Sequence, residues 1–155
     1  VRTIEILDLP DEARELVRET EVKGARTLFQ RDGRPVVMLV SYDEYLALRE
    51  TIEIANDPDL GNAINAAVEE ESVQHGVRVW LTSSANEALA TLADHERELV
   101  EDALRRIDDD PIAGAPLFDP LKGLWVYREA HLRLVYRVMA EVGRVLVLSV
   151  SRAVL

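Results

Sequence analysis

Residues 119–137 read DPLKGLWVYREAHLRLVYR, two alternating apolar runs joined by a short polar link. In the first run Leu124, Val126 and Arg128 alternate with Trp125 and Tyr127. In the second, Leu132, Leu134, Tyr136 and Val138 alternate with Arg133, Val135 and Arg137. A period of two predicts a half-buried antiparallel hairpin, with one face in a core and the other presenting guanidinium groups. Lys122, Arg128, Arg133 and Arg137 all belong to this stretch. Guanidinium groups suit bidentate contact with phosphate, although residue types alone favour a plain solvated face with ordinary surface arginines.

Working outward, RVLVLSVSR (144–152) predicts a last strand and VRVWLTS (77–83) an earlier one. Ser84 with Glu87 three residues on has the form of a capping box opening a helix. Ala88, Leu89 and Leu92, then Leu99, Ala103, Leu104 and Ile107, predict two helices broken near Asp94. Pro111 stops the second after Asp108, Asp109 and Asp110, a triplet expected to be a solvated helix end rather than a metal site. The order β-α-α-β-β-β implies an α+β fold, an antiparallel sheet with helices on one face.

Before this half, residues 2–7 alternate weakly and predict a short strand. Pro10, Asp11 and Glu12 open a helix that Gly24 stops. Asp32-Gly33 between two β-rich arms predicts a hairpin, because that dipeptide tolerates the positive φ of a tight turn. Ser41 and Glu44 form a capping box before a helix carrying Tyr45, Leu46, Leu48 and Ile52. Asp57 and Pro58 start a further helix through Leu60, Ile64, Ala67 and Val68 to Glu69-Glu70-Glu71. These stripes exceed what a small hairpin covers. Tyr45, Leu48, Ile52, Ile64 and Val68 are therefore expected to be buried against the second half, at least three of the five. Ser72 to Gly76 is polar and ends in glycine, which divides the chain into 1–72, a linker at 73–76, and 77–155.

The net charge of −11 is unevenly spread. Residues 1–76 hold 8 Lys+Arg against 17 Asp+Glu, while 111–155 hold 6 against 3. An acidic half tethered to a half with a basic end implies that the basic surface finds its partner within the chain. The composition, 48% hydrophobic and 30% charged, is globular, with no apolar run long enough to span a bilayer. The first residues lack the apolar core of a signal peptide. Zero cysteines exclude disulfides and thiolate metal sites, so a cytoplasmic location and no cofactor are expected. No phosphate-loop, dinucleotide, zinc-protease or serine-hydrolase motif occurs.

DPLKG, LWVYRE, LRLVYRV and a valine-rich strand ending in SR together resemble the RelE and ParE toxin superfamily, and most of all its YoeB-like branch, from about Val77 to Leu155. GARTLFQRDGRPVVMLVSYDEYLALRETIEI resembles the Phd and YefM antitoxins, from about Thr3 to Val68. The two resemblances imply a fusion. An antitoxin region with a small β-hairpin and helices would wrap and neutralise, in cis or by swapping in a homodimer, a toxin-like domain acting on mRNA in the ribosome. A ParE-like gyrase inhibitor and a non-enzymatic autoregulator binding operator DNA are the alternatives.

Cleavage by a ribose 2′-hydroxyl needs a base, an acid and cations for the charge developing on phosphorus. By this resemblance Arg133, Arg152 and Lys122 would stabilise phosphate, and Asp119 would stand where the YoeB-like branch has a basic glutamate. Arg128 and Arg137 would track RNA. The His-Tyr pair of that branch is missing, since the chain reads Ala153-Val154-Leu155 there, and weakened catalysis is expected. Glu69, Glu70 and Glu71 are expected to neutralise the arginines. Arg2, Arg14, Arg26 and Arg31 are the operator candidates, although residues 1–34 balance 7 Lys+Arg against 8 Asp+Glu.

Overall fold

The computed structural model describes residues 1–153 and divides into two compact units, Val1–Tyr45 and Leu46–Leu155. In the first unit the weak alternation over residues 2–7 finds no partner strand. Ile6–Asp8 form a 3-10 turn instead, closed by the Asp8 N–H on the Glu5 carbonyl. Helix α1 (Asp11–Lys23) follows Pro10, carries Asp11 and Glu12 in its positive first turn, and ends at Gly24 in the left-handed region (φ 65°). Strands β1 (Thr27–Arg31) and β2 (Arg34–Leu39) meet across the expected turn, with Asp32 at φ 51° and Gly33 at φ 76°. Leu28, Phe29, Val36, Val37 and Met38 on this hairpin are exposed.

Helix α2 (Tyr42–Ala55) starts with the Ser41 hydroxyl accepting the Glu44 N–H at 3.1 Å. The Glu44 carboxylate pairs with Arg26 at 2.5 Å, so only half of the expected capping box forms. The two units divide inside α2, between Tyr45 and Leu46. Helix α3 (Pro58–Ala67) is capped as expected, the Leu60 N–H reaching the Asp57 carboxylate at 3.0 Å.

The expected linker is instead largely ordered structure. Strand β3 (Ser72–Gln74) pairs antiparallel with β4 (Val79–Thr82) at one sheet edge. Asp108 fastens the connection between them, its carboxylate accepting the N–H groups of Val77, Arg78 and Val79 at 3.1, 2.6 and 2.9 Å. Burial would raise its pKa, but the three amides outweigh burial and hold it below the usual aspartate value. A Cβ on Gly76 would lie 2.8 Å from this carboxylate, which explains the glycine. Asp108 is thus a clamp and not a solvated helix end.

Helices α4 (Ser83–Thr91) and α5 (Asp94–Asp109) follow. Thr82, not Ser84, caps α4, accepting the Ala85 N–H at 3.3 Å. After β5 (Ala115–Pro116) come β6 (Leu124–Glu129), β7 (Leu132–Met139) and β8 (Arg144–Arg152). The six strands lie in the order β3-β4-β8-β7-β6-β5. β4 and β8 run parallel, so the sheet is mixed and not wholly antiparallel. The long excursion between these two strands supplies the crossover that a parallel pair requires.

The sheet carries helices on both faces. One face packs Val79, Leu81, Leu132, Leu134, Tyr136, Val145 and Val147 against Leu89, Val100, Leu104 and Ile107 of α4 and α5. The other packs Val126, Val135 and Leu148 against Ile54 of α2 and Ile64 and Ala67 of α3. Only Ile64 of the five expected contact residues is buried. Tyr45, Leu48, Ile52 and Val68 are 38–59% exposed. Helix α2 turns its Ala47, Glu50, Thr51 and Ile54 side inward instead. No helix among the described residues is long and apolar enough to cross a membrane.

Candidate functional site

Residues paired across neighbouring strands share a face, and the register places Arg128 of β6 directly beside Arg133 of β7. Both lie on the face covered by α2. Arg133 is 5% exposed, and such a charge requires an opposite charge within hydrogen-bonding reach. Its Nε donates to Glu50 at 2.5 Å and a terminal nitrogen donates to Glu53 at 2.5 Å. Arg128 donates to the other oxygen of Glu50 and lies 4.0 Å from Glu53. Glu50, itself 3% exposed, and Glu53 stand three residues apart, a spacing that aims both at the sheet. Arg49 also reaches Glu53, at 3.1 Å.

Glu50 and Glu53 were missed by sequence reasoning, which assigned neutralisation to Glu69, Glu70 and Glu71. Glu70 instead accepts the Ser84 N–H at 2.8 Å, and the Glu71 carbonyl accepts the Ser83 N–H at 2.9 Å. These groups serve the positive end of α4. The available signal was that Glu50 and Glu53 lie within about one helical turn of Thr51 and Ile54.

The same helix grips the loop carrying Asp119 and Lys122. Buried Thr51 donates its hydroxyl to the Ala47 carbonyl at 2.7 Å and accepts the Phe118 N–H at 3.0 Å. Leu117 and Leu121 pack into the α2–α3 core. Asp119 and Lys122 are exposed and make no ion pair among the described residues.

Arg152 does not join Arg133. It pairs in register with Leu132, a core residue of the α4–α5 face, whereas Arg133 pairs with Ser151. Strand alternation therefore sends the two arginines to opposite faces. Arg152 donates to buried Glu96 at 2.9 and 2.6 Å, and His131 meets the same carboxylate at 2.7 Å. The Arg152 guanidinium first, and His131 second, hold the Glu96 carboxyl down at about 2. Arg137 lies on the Arg133 face but is exposed and outside the carboxylate clamp. Val154 and Leu155, where proton-transfer residues were expected and not found, lie outside the described residues.

Of the operator candidates, Arg14 pairs with Asp11 and Arg26 with Glu44, while Arg2 and Arg31 are exposed. Among the described residues no group of acidic, histidine or cysteine side chains could hold a metal ion.

No family model and no curated protein matches the chain. Among solved structures, it is similar to a chain of the RelBE2 toxin–antitoxin complex of Mycobacterium tuberculosis, at 27% identity over 48% of this chain and 95% of that one (TM-score 0.46). It is similar to the isolated E. coli RelE toxin at 22% identity over 52% of this chain and 87% of that one (TM-score 0.45). It is also similar to a chain of the intact E. coli RelBE complex, at 23% identity over 52% of this chain and all of that one (TM-score 0.44).

Proposed function

We propose that this chain is a self-neutralised, toxin-like module fused to its own inhibitor. The observation that carries this reading is the Glu50–Glu53 clamp on Arg128 and Arg133. Two sheet arginines suited to phosphate are occupied by carboxylates from the part of the antitoxin-like segment, Leu46 onward, that belongs to the same compact unit as the sheet. The carboxylates stand in for phosphate oxygens, and α2 with α3 covers the surface that a strand of RNA would need. Cleavage is weak in this reading. Arg152 is turned to the opposite face, and Asp119 and Lys122 are exposed and form no ion pair with the clamp among the described residues.

The test compares the full chain with its Glu50→Gln/Glu53→Gln variant for binding to ribosomes and single-stranded RNA. Release of the arginines should raise affinity at least tenfold, and a further Arg133→Ala change should abolish the gain. Unchanged affinity in a folded variant refutes neutralisation. Expression of residues 77–155 in an inducible bacterium should slow growth at most weakly. Robust arrest that Arg133→Ala abolishes refutes the weakened chemistry.

A second reading, an operator-binding autoregulator, draws on the separate compactness of Val1–Tyr45 with exposed Arg2 and Arg31. It requires salt-sensitive binding to the DNA upstream of the gene.

A further inference from the structure

The helices α2 and α3 leave one end of their sheet face uncovered, and a second cationic group lies there. Register aligns Trp80 of β4 with Leu146 of β8, and Leu146 with Arg137 of β7, in one row across the sheet. Arg144, two residues before Leu146, pairs with Met139 and falls on the same face in the next row. The Arg144 guanidinium lies over the Trp80 ring, 4.4 Å from its centroid. Arg137 and Arg144 are exposed, Met139 is partly so, and Trp80 is half-buried.

These arginines differ from Arg128 and Arg133 in one decisive respect. Neither forms an ion pair with a carboxylate among the described residues. The nearest acidic residue in the connecting turn, Glu141, makes no ion pair with either. The patch thus combines an aromatic ring held beneath a planar cation with a second cation about two strand spacings away, roughly 10 Å. Bases stack on aromatic rings and on guanidinium planes, and phosphates pair with arginine, without regard to sequence.

We propose that Trp80, Arg137 and Arg144 form a binding site for single-stranded nucleic acid that remains open while α2 stays in place. A base stacks on the Arg144–Trp80 pair and the adjoining backbone runs toward Arg137. This site is separate from the clamped pair and does not depend on the neutralisation reading. It lets the chain hold a polynucleotide while its buried arginines are silent.

The test is tryptophan fluorescence of the full chain titrated with uridine and thymidine octamers at low salt. Quenching is expected, lost in Trp80→Phe because Trp125 packs against the α4–α5 core. Each of Arg137→Ala and Arg144→Ala should lower the dependence of log affinity on log salt by about 0.7. Comparable binding of both octamers identifies stacking and phosphate contacts alone, and tighter uridine binding adds a 2′-hydroxyl contact. Absence of quenching at low salt, or an unchanged salt slope in the folded double variant, overturns the site. Binding that appears only in Glu50→Gln/Glu53→Gln and ignores Arg137 and Arg144 also overturns it, by assigning the ligand to the clamped pair.

Discussion

Glu50→Gln removes one charge from the clamp while keeping its volume. Arg128 and Arg133 would then share the single carboxylate of Glu53, which already reaches Arg49. Glu50 and Arg133 are 3% and 5% exposed, so water does not replace the lost partner. Removing one member of a buried pair costs about 3–5 kcal/mol. For a unit of this size that corresponds to a fall in Tm of roughly 10–20 °C. Thermal and urea unfolding of the full chain measure it, and the second unit reports through Trp80 and Trp125. The paired change Glu50→Met/Arg133→Met should recover much of the loss, since well-packed apolar replacements of buried ion pairs are close to neutral. A Glu50→Gln loss below about 0.5 kcal/mol, the range of ordinary surface changes, refutes the reasoning.

Three further outcomes follow from the same structure. Ile64→Ala should cost about 2–5 kcal/mol by leaving a cavity, and Ile52→Ala, at an exposed position, less than about 0.5 kcal/mol; equal losses would mean the face of α2 is misassigned. The Glu96 carboxyl is held at about 2 against an ordinary 4.5, so its stabilising contribution is complete above about 4.5 and lost as pH falls through about 2. Denaturant unfolding from pH 5 down to 2 should therefore weaken the native chain more than Glu96→Gln. Asp108→Ala should free residues 76–79 and admit limited proteolysis beside β3, which the native chain resists; equal digestion of both would show that the three amide contacts do not hold this connection.

The turns, caps and strand periods were legible because each depends on a few adjacent residues. Asp32-Gly33, Asp57-Pro58 and Gly24 all act where their backbone chemistry predicts. The inward face of α2 was not legible, because reading apolar spacing alone selects Tyr45, Leu48 and Ile52. The buried side contains Glu50 and Thr51, polar residues whose burial draws on Arg128, Arg133 and the Phe118 N–H, at least 67 positions away in sequence, besides the local Ala47 carbonyl that Thr51 bonds. Strand β3 was hidden for a related reason. Ser72-Val73-Gln74 has no internal strand signal and takes its conformation from the edge of β4. Resemblance grouped Arg133 and Arg152 in one site, but strand parity separates them, a distinction that becomes visible only when the register of β7 and β8 is known.

The clamp acts beyond its own contacts. The two carboxylates offset the two sheet guanidinium groups and leave only the Arg49 charge, on the covering helix, so this part of the sheet projects far less field into solvent than a bare arginine pair would. A polyanion approaching from a distance is neither drawn nor oriented toward it, and the rate enhancement that a bare arginine pair lends to encounter is lost. Covering helices stop a ligand that has arrived, whereas the matched charges lower the number of arrivals. Inhibition built this way reduces the association rate as well as the occupancy, and raising the salt concentration weakens the buried Glu50–Arg133 pair less than the partly exposed Arg128 and Glu53 contacts.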